Sequence, residues 1–136
     1  MTEPASATIL VVEDDAAIRG GIQRILERAG YTVLTASTPI DAIQLAADHE
    51  LPIRLLVTDF GLHAITGRQV AEVLLRDRPG LRVLYASGHS IAKVLPHGLP
   101  PGTAFLQKPF SMPALLHHVR ELLEQGEQPG EADVEG

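Results

Sequence analysis

Leu55-Leu56-Val57-Thr58-Asp59-Phe60 decides the fold: an apolar run that reads as a buried strand ends in a carboxylate, and Gly61 follows at once. A short apolar run without polar alternation fits a strand covered on both faces, as in a parallel sheet flanked by helices. In open α/β sheets, ligands bind in the crevice beyond the C-terminal strand ends, so this pattern puts Asp59 where chemistry is possible.

Working outward, the same pattern recurs. Thr8-Ile9-Leu10-Val11-Val12 is another buried strand that ends in acid, Glu13-Asp14-Asp15. A helix follows with Asp15 as N-cap, with Ile18, Ile22, Ile25, Leu26 and Ala29 on one face and Gly30 as its stop. Thr32 to Ala36 reads as a strand, and Thr38-Pro39 as an N-cap with proline at the first helical position, for a helix running to about His49. Downstream of Asp59, Thr66 caps a helix that faces Val70, Val73 and Leu74 inward and ends at Pro79-Gly80. Arg82 to Ala86 is a strand leading into Ser87-Gly88. Pro96, Gly98, Pro100, Pro101 and Gly102 restrict the next helix to a short piece around Ile91 to Leu95. Ala104-Phe105-Leu106 is a short strand into Gln107-Lys108-Pro109. Ser111 then caps a last helix with Leu115, Leu116, Val119, Leu122 and Leu123 on its apolar face.

Five strands alternating with helices require a parallel sheet with right-handed crossovers. The expected fold is α/β, a flavodoxin-like doubly wound (βα)5 with strand order 2-1-3-4-5 and a short or irregular fourth helix; that order is taken from the known doubly wound type. The expected domain is 8–123, between a disordered N-terminal tail, 1–7, and an acidic tail rich in Gly and Pro, 124–136.

Composition narrows the function. The 136 residues make about one domain, and the absence of cysteine excludes disulfides, thiol catalysis and thiolate metal sites. The net charge of −6 resides in the tails: Glu3 and the five acids from Glu124 onward leave 11 acidic against 11 basic residues between Thr8 and Leu123. Such a body offers no net positive charge to a phosphate backbone, which argues against a nucleic-acid surface. Apolar runs too short to span a membrane, and an N-terminus without a secretory pattern, predict a cytoplasmic protein with no membrane segment. No DNA-binding domain is expected after Leu123.

The predicted strand ends bring Glu13-Asp14, Asp59, Ser87 and Lys108 to one edge. Taken singly, Glu13-Asp14-Asp15 reads as a solvated turn and Ser87 as a loop residue; the shared edge makes them a site. Clustered carboxylates persist ionised when a cation sits among them, and Mg²⁺ takes about two carboxylates while keeping positions for water and phosphate oxygens. An added ammonium and hydroxyl suit a phosphoryl group, whose transfer depends on positioning and charge stabilisation. The nucleophile is then a carboxylate, and Asp59 on the central strand is the candidate.

In these motifs the chain resembles the receiver domain of two-component response regulators, from about Thr8 to Leu123. The matching pieces are Val11-Val12-Glu13-Asp14, Thr58-Asp59-Phe60 with Gly67 eight positions after the aspartate, Ala86-Ser87-Gly88 and Lys108-Pro109-Phe110. The resemblance implies Asp59 as phosphoacceptor and ligand, Glu13 and Asp14 as metal-site acids for Mg²⁺ or Mn²⁺, and the Gly61 carbonyl as a further ligand. It implies Ser87 and Lys108 as partners of the phosphoryl group, a cis Lys108-Pro109 bond, and Phe105 as the aromatic that switches rotamer. The implied partners are a sensor histidine kinase or histidine phosphotransfer protein and a downstream protein. It implies a signalling domain rather than an enzyme, either stand-alone or part of a hybrid kinase, whose receivers the Ser-Gly-His turn resembles.

Some positions depart from the family pattern. His63 stands where proline is usual, Phe105 lacks a hydroxyl, and the fourth helix is broken. His63 and His89 are candidate modulators; the other histidines form no His-Glu-x-x-His motif and read as surface residues. Gly20-Gly21 costs a helix ~1 kcal/mol per glycine. Small residues there would let a partner helix approach, with Ile18 and Gly21 as docking residues. A pseudo-receiver that binds constitutively without phosphorylation is the alternative. A haloacid-dehalogenase-type phosphatase would need Asp-x-Asp after the first strand, where Glu13-Asp14-Asp15 stands.

Overall fold

The computed structural model describes residues 7–48, 52–60 and 66–126. In chain order the elements are β1 (Thr8–Val12), α1 (Ala16–Arg28), β2 (Thr32–Ala36), α2 (Pro39–Asp48), β3 (Ile53–Asp59), α3 (Gly67–Asp77), β4 (Arg82–Ser87), α4 (Ile91–Val94), β5 (Thr103–Gln107) and α5 (Met112–Gly126). The strands form one parallel sheet in the order β2-β1-β3-β4-β5. β3 lies at the centre, and the short apolar run that ends in Asp59 is buried on both sides.

Strand alternation divides the core in two. Leu10, Val12, Leu56, Val83 and Tyr85 face α2, α3 and Leu95. Ile9, Val11, Leu55, Val57, Leu84 and Leu106 face α1 and α5. The caps follow from the residues at the helix starts: Asp15 Oδ1 accepts from Ile18 N at 3.0 Å, Thr38 Oγ1 from Asp41 N at 3.1 Å, and Ser111 Oγ from Ala114 N at 3.2 Å. Thr66 and Gln69 make a reciprocal capping box at α3. Such caps are each worth about 1 kcal/mol.

Two boundaries differ from the sequence reading. Ala7 is buried, and its carbonyl accepts from Thr32 N at 3.0 Å, so the ordered domain begins one residue earlier than expected. α5 runs on to Gly126, past the boundary expected at Leu123, because Glu124 and Gln125 are good helix formers and no breaker precedes the glycine. Arg120 of that helix lies near the buried Tyr31 hydroxyl. α4 is a single turn. The chain after it is folded back by Gly98 and Gly102, both at positive φ (88° and 77°), and Leu95 is pressed into the core. Residues 1–6 and 127–136, the bulk of the expected tails, lie outside the described residues. No helix among the described residues is long and apolar enough to cross a membrane.

α1 carries Gly20 and Gly21 in its middle, and a Cβ added at either would meet nothing within 4 Å. Their cost of ~1 kcal/mol each is offset by burial of Ile22 and Leu26, worth about 1.5–3 kcal/mol apiece. Packing among the described residues does not require either glycine. Gly20→Ala and Gly21→Ala should therefore each raise stability by ~1 kcal/mol, seen as a higher urea midpoint with an unchanged slope.

Candidate functional site

The site forms where β1, β3, β4 and β5 end. Glu13, just past β1, is 2% exposed and has each of its polar groups engaged. Its backbone N–H donates to Ala36 O at 3.1 Å, its carbonyl accepts from Arg19 Nη1 at 2.8 Å, Oε2 accepts from Asp15 N at 3.1 Å and Oε1 accepts from Lys108 Nζ at 2.7 Å. The same ammonium lies 3.3 Å from Asp59 Oδ2 at the end of β3. Carboxylate oxygens of Glu13, Asp14 and Asp59 all come within 4.8 Å of one another. Burial grades across the cluster: Glu13 is enclosed, Asp59 half-buried and Asp14 exposed.

Lys108 is placed by the ladder that ends just before it. Its N–H donates to Ser87 O at 2.7 Å, and the Lys108-Pro109 bond is cis, as the resemblance led us to expect. Ser87 is buried at the end of β4, and its Oγ accepts from His89 N at 3.0 Å. His89 itself is exposed. Phe105 is half-buried on β5, in register with Tyr85. Gly61 and His63 lie outside the described residues. Ile18 and Gly21 line a cavity of about 430 Å³ with Ala17, Ile22, Pro109 and Phe110, beside Lys108.

Two features were missed in the sequence. The Arg19 bond to the Glu13 carbonyl could have been sought, since an arginine in the first turns of α1 can reach back to the end of β1. Gly67, noticed only as a motif position, opens α3 directly against the backbone of Asp59: a Cβ there would lie 2.4 Å from the Asp59 carbonyl oxygen.

The electrostatics follow from burial and pairing. Burial pushes Glu13 above the ordinary carboxylate range, against the pull of its bonds from Lys108 and Asp15. Burial also opposes the Lys108 charge, but the Glu13 hydrogen bond and the Asp59 charge outweigh it and hold the ammonium above its ordinary value. The enclosed Tyr31 and Tyr85 hydroxyls are raised too, chiefly by burial. In all three of these latter groups the folded state holds its proton longer than the unfolded chain, so their contribution is full below the ordinary 10.0 and 10.5 and is lost as pH rises through the raised values. The urea midpoint should fall between about pH 9 and about pH 11, and Tyr31→Phe or Tyr85→Phe, each removing one titrating group, should make that fall shallower.

Three oxygen donors around one point fit a hard divalent cation, and an ammonium beside them fits an anion that such a cation would help to bind. Comparison with known proteins places the chain in a family. Residues 9–120 match the response regulator receiver domain. The chain is 32% identical over 123 residues to the sensor kinase CckA of Brucella abortus (strain 2308), covering 88% of this chain and 13% of that protein. It is 32% identical over 119 residues to the response regulator MprA of Mycobacterium ulcerans (strain Agy99), covering 87% of this chain and 50% of that one. It thus spans half or less of the length of these two relatives. Among solved structures, a response regulator receiver protein from Sinorhizobium medicae WSM419 superposes with a TM-score of 0.80 at 30% identity, over 89% of this chain and 97% of that one. From its strand order, its strand-end residues and the extent of these matches, the chain belongs to the response regulator receiver domain family of two-component systems.

Proposed function

We propose that this receiver takes a phosphoryl group from a partner's phosphohistidine onto Asp59 in a Mg²⁺-dependent reaction and changes its surface in response. The observation that carries the reading is the position of the Lys108 ammonium, 2.7 Å from Glu13 and 3.3 Å from Asp59, where the carboxylates converge. A carboxylate oxygen of Asp59 forms the new bond to phosphorus while the phosphorus–nitrogen bond of the donor breaks, its electron pair returning to the imidazole. Asp14 and Asp59, with Glu13 beside them, would hold Mg²⁺ or Mn²⁺, and the Gly61 carbonyl is the further ligand we assign. The bound ion would neutralise charge on the phosphoryl oxygens.

The chain's own groups do the rest. Lys108, already oriented by Glu13, donates to one phosphoryl oxygen. Ser87, whose Oγ accepts from His89 N, keeps its O–H to donate to another. The product carries roughly one more negative charge than the carboxylate it replaces. That charge favours the arrangement in which Ser87 and Lys108 close on it, and so shifts a two-state equilibrium to which Phe105 responds. His63 and His89, which follow Asp59 and Ser87 in the sequence, modulate the lifetime of the phosphoryl group.

The donor's helices dock on α1 over Ile18 and Gly21, where the cavity opens beside Lys108. Gly21→Ala, expected to stabilise the fold, should slow transfer from a phosphohistidine partner while leaving uptake from acetyl phosphate unchanged; equal rates from the partner would remove Gly21 from the interface.

The test is direct. Incubation with acetyl phosphate and Mg²⁺ should add the mass of one phosphoryl group to the intact chain, and chelation of the metal should prevent it. No gain in mass would overturn the assignment and leave a constitutive binding module, the pseudo-receiver, in its place.

A further inference from the structure

The residue after the phosphoacceptor is tied to the next strand twice. Phe60 N donates to Ala86 O at 2.7 Å, and the Phe60 ring meets the Tyr85 ring edge-on, with centroids 5.3 Å apart and planes at 74°. On its other side Tyr85 stands in register with Phe105 of β5. Phe60, Tyr85 and Phe105 belong to the same face of the sheet and the same core, together with Leu95 at the end of α4. An aromatic row thus runs from Asp59 across β4 to the edge strand.

Tyr85 is 4% exposed, yet it also borders a cleft of about 190 Å³ between α3 and the chain that follows α4. Arg68 and Glu72 of α3 form one wall of that cleft, and Pro100, Pro101 and Thr103 form the other. Arg68 and Glu72 are also the charges felt by the Tyr85 hydroxyl. One side chain therefore touches the ring next to the phosphoacceptor at one end and reaches a surface cleft at the other. With α4 reduced to one turn, the cleft walls come from α3 and a loop shaped by proline and glycine.

We propose that Tyr85 is a positioning residue that carries the state of Asp59, through Phe60, to the cleft between α3 and residues 100–103. Packed interiors do not deform continuously, so a shift of Phe60 must be taken up by the ring it abuts. The warrant is the ring contact of Phe60 with Tyr85 and the register of Tyr85 with Phe105, and it becomes a coupling once a measured equilibrium depends on it.

This inference rests on phosphorylation of Asp59, and the test separates the two. The chain has two tyrosines and no tryptophan, so in Tyr31→Phe the remaining tyrosine, labelled as 3-fluorotyrosine, gives one fluorine resonance. Acetyl phosphate and Mg²⁺ should move that resonance while intact mass records the phosphoryl group in the same sample. In unlabelled protein, amide exchange over residues 91–105 should change on phosphorylation. Tyr85→Leu should retain the mass gain but reduce this change by about threefold or more; Tyr85→Phe, which keeps the ring, should restore it. If Tyr85→Leu does not fold, Phe60→Leu removes the other ring of the pair and should have the same effect. A phosphorylated chain whose resonance does not move, or a leucine variant with the full exchange response, overturns the role of Tyr85. Absence of the mass gain itself would instead overturn the assignment of Asp59.

Discussion

Asp59→Asn should take up no phosphoryl group from acetyl phosphate in the presence of Mg²⁺, against one per chain in the unmodified protein. The amide keeps the size of the side chain and removes the nucleophilic carboxylate oxygen. Neither neighbouring acid is placed to replace it: Glu13 is enclosed, with Oε1 held by Lys108 and Oε2 by Asp15 N, and Asp14 is exposed at the mouth of the site. The fold should tolerate the change, because Lys108 retains its shorter contact, 2.7 Å to Glu13. Losing the Asp59 charge also removes one of the influences that raise the Glu13 carboxyl. The urea midpoint should therefore stay close to that of the parent while the intact-mass gain disappears. A mass gain that survives in this variant would mean that another residue is the acceptor.

Gly67→Ala should have the largest effect on stability. A built Cβ lies 2.4 Å from the Asp59 carbonyl oxygen, 3.0 Å from Thr58 Oγ1 and 3.1 Å from the Asp59 carbonyl carbon, so its nearest neighbour is backbone rather than a flexible side chain. That backbone cannot yield cheaply: Thr58 Oγ1 donates to the same carbonyl at 3.1 Å, and Phe60 is tied to Ala86 on one side and to Gly67 N on the other. Overpacking of this kind costs ~1–3 kcal/mol and occasionally more, a sizeable part of the roughly 5–15 kcal/mol of a typical domain. The same chemical change at Gly20 or Gly21 should stabilise, so the three alanine variants should separate in opposite directions in urea. Because the displaced atoms belong to Asp59, the Gly67 variant should also take up phosphoryl groups more slowly. If it unfolded at the same urea concentration as the parent, α3 would not approach β3 as closely as described.

Much of this was legible in the residues. The apolar runs leading into Glu13, Asp59, Ser87 and Gln107 have the lengths and punctuation of buried parallel strands, and Asp15, Thr38, Thr66 and Ser111 cap helices because their side chains are short acceptors placed just before an apolar period. Once the topology is granted, Glu13, Asp14, Asp59 and Lys108 must reach one edge, and they do. What stayed hidden depends on distances between elements. Nothing in a linear pattern says that Gly67 stands against a carbonyl group, or that Arg19 reaches back to Glu13. The Phe60 and Tyr85 rings meet because alternation places them on one face of neighbouring strands, and their mutual angle needs coordinates. The end of α5 is hidden because the acidic, glycine-containing sequence after Leu123 has the composition of a tail, although its first residues favour a helix.

The engagement of Glu13 on every side has a mechanical consequence. Anchored through Ala36, Arg19 and Asp15, that wall is built like the fixed jaw of a vice. Under the proposed phosphorylation of Asp59, the work done by the incoming charge would be spent on the opposite jaw, at the ends of β4 and β5, which would give the motion a direction before any partner is bound.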